Sequence, residues 1–116
     1  MSLHTGTLPT RLLNDQQIRP SEYRKWRHAL RHFEQRPKEK ARVEALKASI
    51  AVDGLQKPIL LSVDDRTNCV YVGDGHHRAV ALMQLGVTDF SFRWCWIRSY
   101  TVDHQSGPFP SHLLGL

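Results

Sequence analysis

Asp74, His76, His77 and Arg78 fall in one short run, Gly73-Asp74-Gly75-His76-His77-Arg78, between an apolar stretch and a helix-forming one. The two glycines allow a tight turn and let a ligand come close to the backbone. A helix beginning here offers N–H groups with no intrahelical partner and the positive end of its dipole, a combination suited to anions. His76, His77 and Arg78 add donors beside those amides, and a guanidinium can grip two phosphate oxygens at once. Asp74, the one carboxylate of the run, could hold a Mg²⁺ that bridges phosphates, or accept a proton from an attacking water or hydroxyl. His76 or His77 would then serve as acid or base. Plainer roles compete: Gly75 as a turn residue, Asp74 as a helix cap, His77 as a core histidine. Adjacent His76 and His77 diverge around a helix start, which argues against joint chelation of a metal.

The elements that must hold this run follow from periodicity. Pro58-Ile59-Leu60-Leu61-Ser62-Val63 and Cys69-Val70-Tyr71-Val72 read as strands joined by a turn over residues 64–68. His76 to Leu85 reads as a helix closed by Gly86. Upstream, Ser21 is the expected N-cap of a helix whose apolar stripe is Tyr23, Trp26, Leu30 and Phe33, ended by Pro37. A second helix is expected from Lys38 to about Val52, with Val43, Leu46 and Ile50 inward and Gly54 just past its end. Phe90, Phe92, Trp94 and Trp96 alternate with smaller or polar residues, the pattern of a strand with one aromatic face. That face is either core or a platform on which bases stack. Residues 1–10 are expected to be a flexible arm, and residues 98–110 loop-like. The apolar end, with Phe109, Leu113, Leu114 and Leu116, should dock on the chain's own core, a second copy or a protein partner.

The 116 residues carry a formal net charge of +5. Between Ser21 and Ser49 stand nine Lys/Arg and four Asp/Glu, so the whole excess lies in this stretch. Arg24, Lys25, Arg27 and Arg31 are its candidate nucleic-acid contacts, with a solvated helix face as the plainer reading. No run reaches the ~18 apolar residues of a membrane span and no signal peptide is evident, so a cytoplasmic protein is expected. Cys69 and Cys95 have no metal-type spacing and read as free thiols.

Several segments together resemble the N-terminal domain of the ParB/sulfiredoxin superfamily. They are Ile18-Arg19-Pro20-Ser21-Glu22, Leu46-Lys47-Ala48-Ser49-Ile50, Gly54-Leu55-Gln56-Lys57-Pro58-Ile59, Gly73–Ala79 and Leu85-Gly86. The similarity spans residues 11–98 and leaves 99–116 as a tail too short for a helix-turn-helix reader. It implies an α+β fold, a small mixed sheet with flanking helices, and a nucleoside triphosphate with Mg²⁺ at Gly73, Gly75, His76, His77 and Arg78. Where sulfiredoxins have a catalytic cysteine this chain has His76, which argues against sulfinate repair. CTP-hydrolysing ParB proteins have a glutamate there, whereas the superfamily's free-serine kinases and ParB-like nucleases have loops closer to this one. The expected function is binding of nucleotide or nucleic-acid phosphate, with hydrolysis of a phosphodiester or phosphoanhydride bond as the matching nuclease or NTPase activity. The alternative is a non-catalytic DNA-binding or protein-binding adaptor that keeps the loop only as an anion contact.

Overall fold

The computed structural model describes residues 6–98, 101–104 and 108–116, with 98 and 101–104 described by backbone alone. Strand β1 (Gly6–Pro9) leads through a 3-10 turn to β2 (Ile18–Pro20), then helices α1 (Trp26–Gln35) and α2 (Pro37–Asp53). The hairpin β3 (Ile59–Asp64) and β4 (Cys69–Asp74) follows, then α3 (His76–Leu85), β5 (Asp89–Arg98), β6 (Thr101–His104) and a final 3-10 turn (Ser111–Leu114). One mixed sheet runs in the order β1-β5-β3-β4-β2, with β6 also pairing β5. This is the expected α+β fold with flanking helices.

Period-2 patterning sets the core. Leu61, Val63, Val70 and Val72 are buried while their neighbours Ser62 and Tyr71 are only half so. On β5, Phe90, Phe92 and Trp94 are buried and Trp96 half-buried, so the aromatic face is core and not a stacking platform. Phe109 packs edge-on against Phe92 and Trp94, with ring centroids 5.0 and 5.6 Å away. Leu114 is buried, and its carbonyl accepts a 2.7 Å hydrogen bond from Gln17 Nε2. The C-terminal segment therefore docks on the chain's own core.

Three local expectations are corrected. Gly6–Pro9 is not part of a flexible arm: it pairs antiparallel with Phe92–Asp89, and the rest of that arm, residues 1–5, lies outside the described residues. Thr101–His104 is not loop but β6, antiparallel to Cys95–Arg98; residues 99–100 and 105–107 lie outside the described residues. Ser21 is not the cap of α1. The helix starts five residues later, where the Asp15 carboxylate accepts the Trp26 N–H at 2.7 Å and Trp26 Nε1 donates to the Ile18 carbonyl at 2.9 Å. Those two bonds anchor the helix start to β2 and to the segment before it, and leave Ser21–Lys25 as a bend. Pro37 stands at the first position of α2, where its missing N–H costs nothing, and extended Arg36 alone separates the two helices.

Candidate functional site

Strands β2 and β4 are adjacent and parallel, so the segments after them leave the sheet at the same end. The Ser21–Lys25 bend follows β2, and Gly75 with α3 follows β4. A ligand cleft is expected just there, beyond the carboxyl ends of parallel strands. A cleft of about 450 Å³ occupies this place, lined by the Gly73–Arg78 loop, Glu22 and, from α2, Arg42, Ala45 and Leu46. The local register prepares the turn. Leu60 pairs with Asp74 and Leu61 with Val72, so Gly73 sits in a bulge that bends β4 before the loop. A Cβ on Gly73 would lie 2.3 Å from Ser62 Oγ.

Gly75, at φ 112° and ψ 30°, turns the chain into α3, whose first bond runs from the Ala79 N–H to the Gly75 carbonyl at 2.8 Å. The amides of His76, His77 and Arg78 precede that bond, and Gly75 has no side chain to cap them. The Arg78 guanidinium folds back over Gly75, so that a Cβ there would stand 2.7 Å from Nη2. Nη2 lies 3.5 Å from the Pro58 carbonyl and 3.7 Å from Asp74 Oδ2, while Nε is buried and meets no acceptor among the described residues. A guanidinium so incompletely satisfied has bonding capacity left for an anion.

The two histidines serve differently. His76 is 5% exposed, and its Nε2 accepts the Ser21 N–H at 3.1 Å. The neutral ring therefore carries its proton on Nδ1, 4.0 Å from Glu22 Oε2. Burial pulls the His76 pKa down, opposed by the negative charges of Glu22 and Asp74, with His77 adding a smaller downward push. His77 stacks on Phe33 at 4.3 Å and 15°, and its Nε2 bonds the Glu39 carboxylate. That bond is the main reason the Glu39 carboxyl lies below the usual carboxylate range. His76 clamps the bend to α3, and His77 ties α3 to both other helices.

Asp74 and Glu22, with side chains 61% and 70% exposed, share the cleft. Among the described residues, no three His, Cys, Asp or Glu groups converge to hold a metal.

Gly73, Asp74, Gly75, His76, His77 and Arg78 all line one cleft. Arg24, Lys25, Arg27 and Arg31 are exposed on the bend and α1, outside it. Sequence reasoning missed Arg42, Glu39 and Phe33, which reach the site only because α1 and α2 pack against α3 and one another. No helix among the described residues is long and apolar enough to cross a membrane.

No family model matches the chain, and no curated protein does. Solved structures with a similar fold include sulfiredoxin from Arabidopsis thaliana, with a TM-score of 0.56 and 23% identity over 82% of this chain and 88% of that one. A Pnob8-like ParB-N domain matches with a TM-score of 0.51 and 15% identity, covering 96% of this chain and 32% of that one. At such identities the likeness speaks for architecture alone: the chain has a ParB/sulfiredoxin-like fold.

Proposed function

We propose that the cleft at the start of α3 binds the phosphate groups of a nucleotide. One observation carries this reading: uncapped amides, Arg78 and Arg42 converge on a cleft of about 450 Å³, a size suited to a small ligand. The phosphate lies against the α3 amides, and Arg78 grips it from the side. Arg42 supplies the opposing cation, and Ala45 and Leu46 offer an apolar wall to the nucleoside. The relatedness of fold to a sulfiredoxin and a ParB-N domain is consistent with such a ligand. Bound Mg²⁺ would neutralise phosphate charge, with Asp74, assisted by Glu22, as its protein contact.

For hydrolysis of the same ligand, Asp74 is the carboxylate of the loop available to orient a water. His76 and His77 are positioning residues, each with Nε2 already engaged. Calorimetric titration with nucleoside triphosphates tests the reading. Arg78→Ala should weaken binding by about 1–3 kcal/mol, the usual worth of a charge-assisted contact. Asp74→Ala should retain binding and lose any Mg²⁺-dependent NTP or DNA hydrolysis. Equal affinity in wild type and Arg78→Ala would refute the site. Absence of nucleotide binding altogether would favour the non-catalytic adaptor.

A further inference from the structure

Ion pairing sharpens the charge asymmetry of the helical stretch. Of the nine Lys and Arg residues between Ser21 and Ser49, only Lys40 and Lys47 meet a carboxylate within 4.0 Å among the described residues. Their partners are Glu34 and Glu44, and a third acid, Glu39, is held by His77. Three of the stretch's four carboxylates are thereby engaged, and the fourth, Glu22, faces the cleft. Arg24, Lys25, Arg27, Arg31, Lys38 and Arg42 are all exposed. Arg27 and Arg31 are four residues apart on α1, as are Lys38 and Arg42 on α2, so each pair shares a helix face. Like charges gathered in excess of nearby counter-charges repel one another, and a polyanion relieves that repulsion.

The grouping also has a direction. Arg42 lines the cleft, and Lys38 stands one turn before it on α2. On the other side, Arg24 and Lys25 belong to the bend whose Glu22 forms the cleft's rim. Cations therefore lead away from the cleft along both of the elements that border it, and Arg27 and Arg31 extend the bend's branch along α1. An isolated mononucleotide needs only the cleft. A ligand that uses the outlying cations must carry further negative charges spaced along its length.

We infer that the ligand is a nucleic-acid strand, one phosphate of which enters the α3 cleft while neighbouring phosphates lie along the α1–α2 cations. This inference rests on the phosphate reading of the cleft and adds the class of molecule to it. Nucleic acid is favoured over an acidic protein because the cleft's amides and guanidinium suit phosphate, and its regular backbone charge suits a row of cations. Contacts of this kind carry no sequence preference.

Fluorescence anisotropy with short labelled single- and double-stranded oligonucleotides, over a series of salt concentrations, tests the inference. Calorimetry with a nucleoside triphosphate on the same proteins accompanies it. The variant Arg27→Glu/Arg31→Glu/Lys38→Glu leaves every cleft residue in place, and circular dichroism verifies its fold. Oligonucleotide affinity should fall steeply with salt, and the variant should flatten the log–log slope by about 0.7 per lost contact on a single strand, or about 0.9 on duplex. Its triphosphate affinity should stay within about twofold of wild type, since screened charges outside the cleft act weakly there. Arg78→Ala should weaken both ligands, and saturating triphosphate should displace part of the oligonucleotide signal. Triphosphate binding without oligonucleotide binding at low salt would overturn the inference and leave the cleft reading intact. Oligonucleotide binding indifferent to Arg78→Ala and to triphosphate would overturn it too, by separating the basic track from the cleft. Failure of both ligands would overturn the cleft reading itself.

Discussion

Replacing Gly75 by alanine separates two roles that this residue combines. Its φ of 112° with ψ 30° lies outside the left-handed well that side chains tolerate, so alanine should cost about 1–3 kcal/mol of stability from the backbone alone. The new Cβ would also stand 2.7 Å from Arg78 Nη2 and 3.2 Å from Cζ and Nε. Because these atoms end a flexible side chain, the guanidinium can swing aside at small cost to the fold. It leaves its weak 3.5 Å contact with the Pro58 carbonyl, and on the proposed reading it also leaves the position from which it would grip phosphate. Affinity should therefore fall by most of the ~1–3 kcal/mol assigned to Arg78. In an Arg78→Ala background the stability loss should remain and the affinity loss should vanish. Urea denaturation and calorimetric titration of the four proteins of this cycle measure both quantities. An equal affinity loss in both backgrounds would refute the proposed overlay of Gly75 and Arg78. A Gly75→Ala protein within about 0.5 kcal/mol of wild type would refute the strain argument.

Other variants probe the supports of the cleft. His76 has its pKa lowered by burial, so the unfolded chain takes up a proton near 6.5 that the folded one resists, and stability should fall as pH drops below that value. His76→Gln, whose side-chain oxygen can accept the Ser21 N–H without titrating, should flatten the fall in melting temperature on acidification. Glu39 has its pKa lowered mainly by the His77 bond, so its contribution exists above the ordinary value of 4.5 and is lost as pH falls through the lower folded value. Glu39→Gln should be less stable than wild type at neutral pH, with the gap closing in acid by thermal denaturation. Leu114→Ala should cost about 2–5 kcal/mol in urea unfolding, whereas the same change at Leu116, 56% exposed, should cost under about 0.5 kcal/mol.

The parts legible in the sequence are those whose determinants are local. Gly75 and Gly86 bracket α3, and its observed limits, His76 and Leu85, are those the glycines imply. The alternation of Phe90, Phe92 and Trp94 marked β5 because period 2 needs no knowledge of a partner. What escaped depends on distant chain. The cap of Trp26 comes from Asp15, eleven residues back, and Ser21 looked like a cap only because serine commonly is one. Strand β1 has four residues and is defined by its pairing with β5, far along the chain. Within the site, the Gly73–Arg78 run could be read directly, but Arg42 looked like one of many surface cations. Its place in the cleft follows from the packing of α2 on α3, which leaves no trace in local spacing.

The bond from the Ser21 amide to His76 Nε2 makes one backbone proton a reporter for the cleft. This N–H joins no strand ladder; its acceptor is a side chain 55 residues away, on the other wall. Lifting the bend off α3 would open it to solvent while the sheet stayed intact, a local event of low free energy. Its hydrogen-exchange rate therefore follows the opening of the cleft mouth, separately from global unfolding. A bound ligand that holds the walls together should slow this exchange. Acid that protonates His76 removes the acceptor, so the Ser21 amide should lose protection at a pH where Val70 and Val72, deep in the sheet, retain theirs.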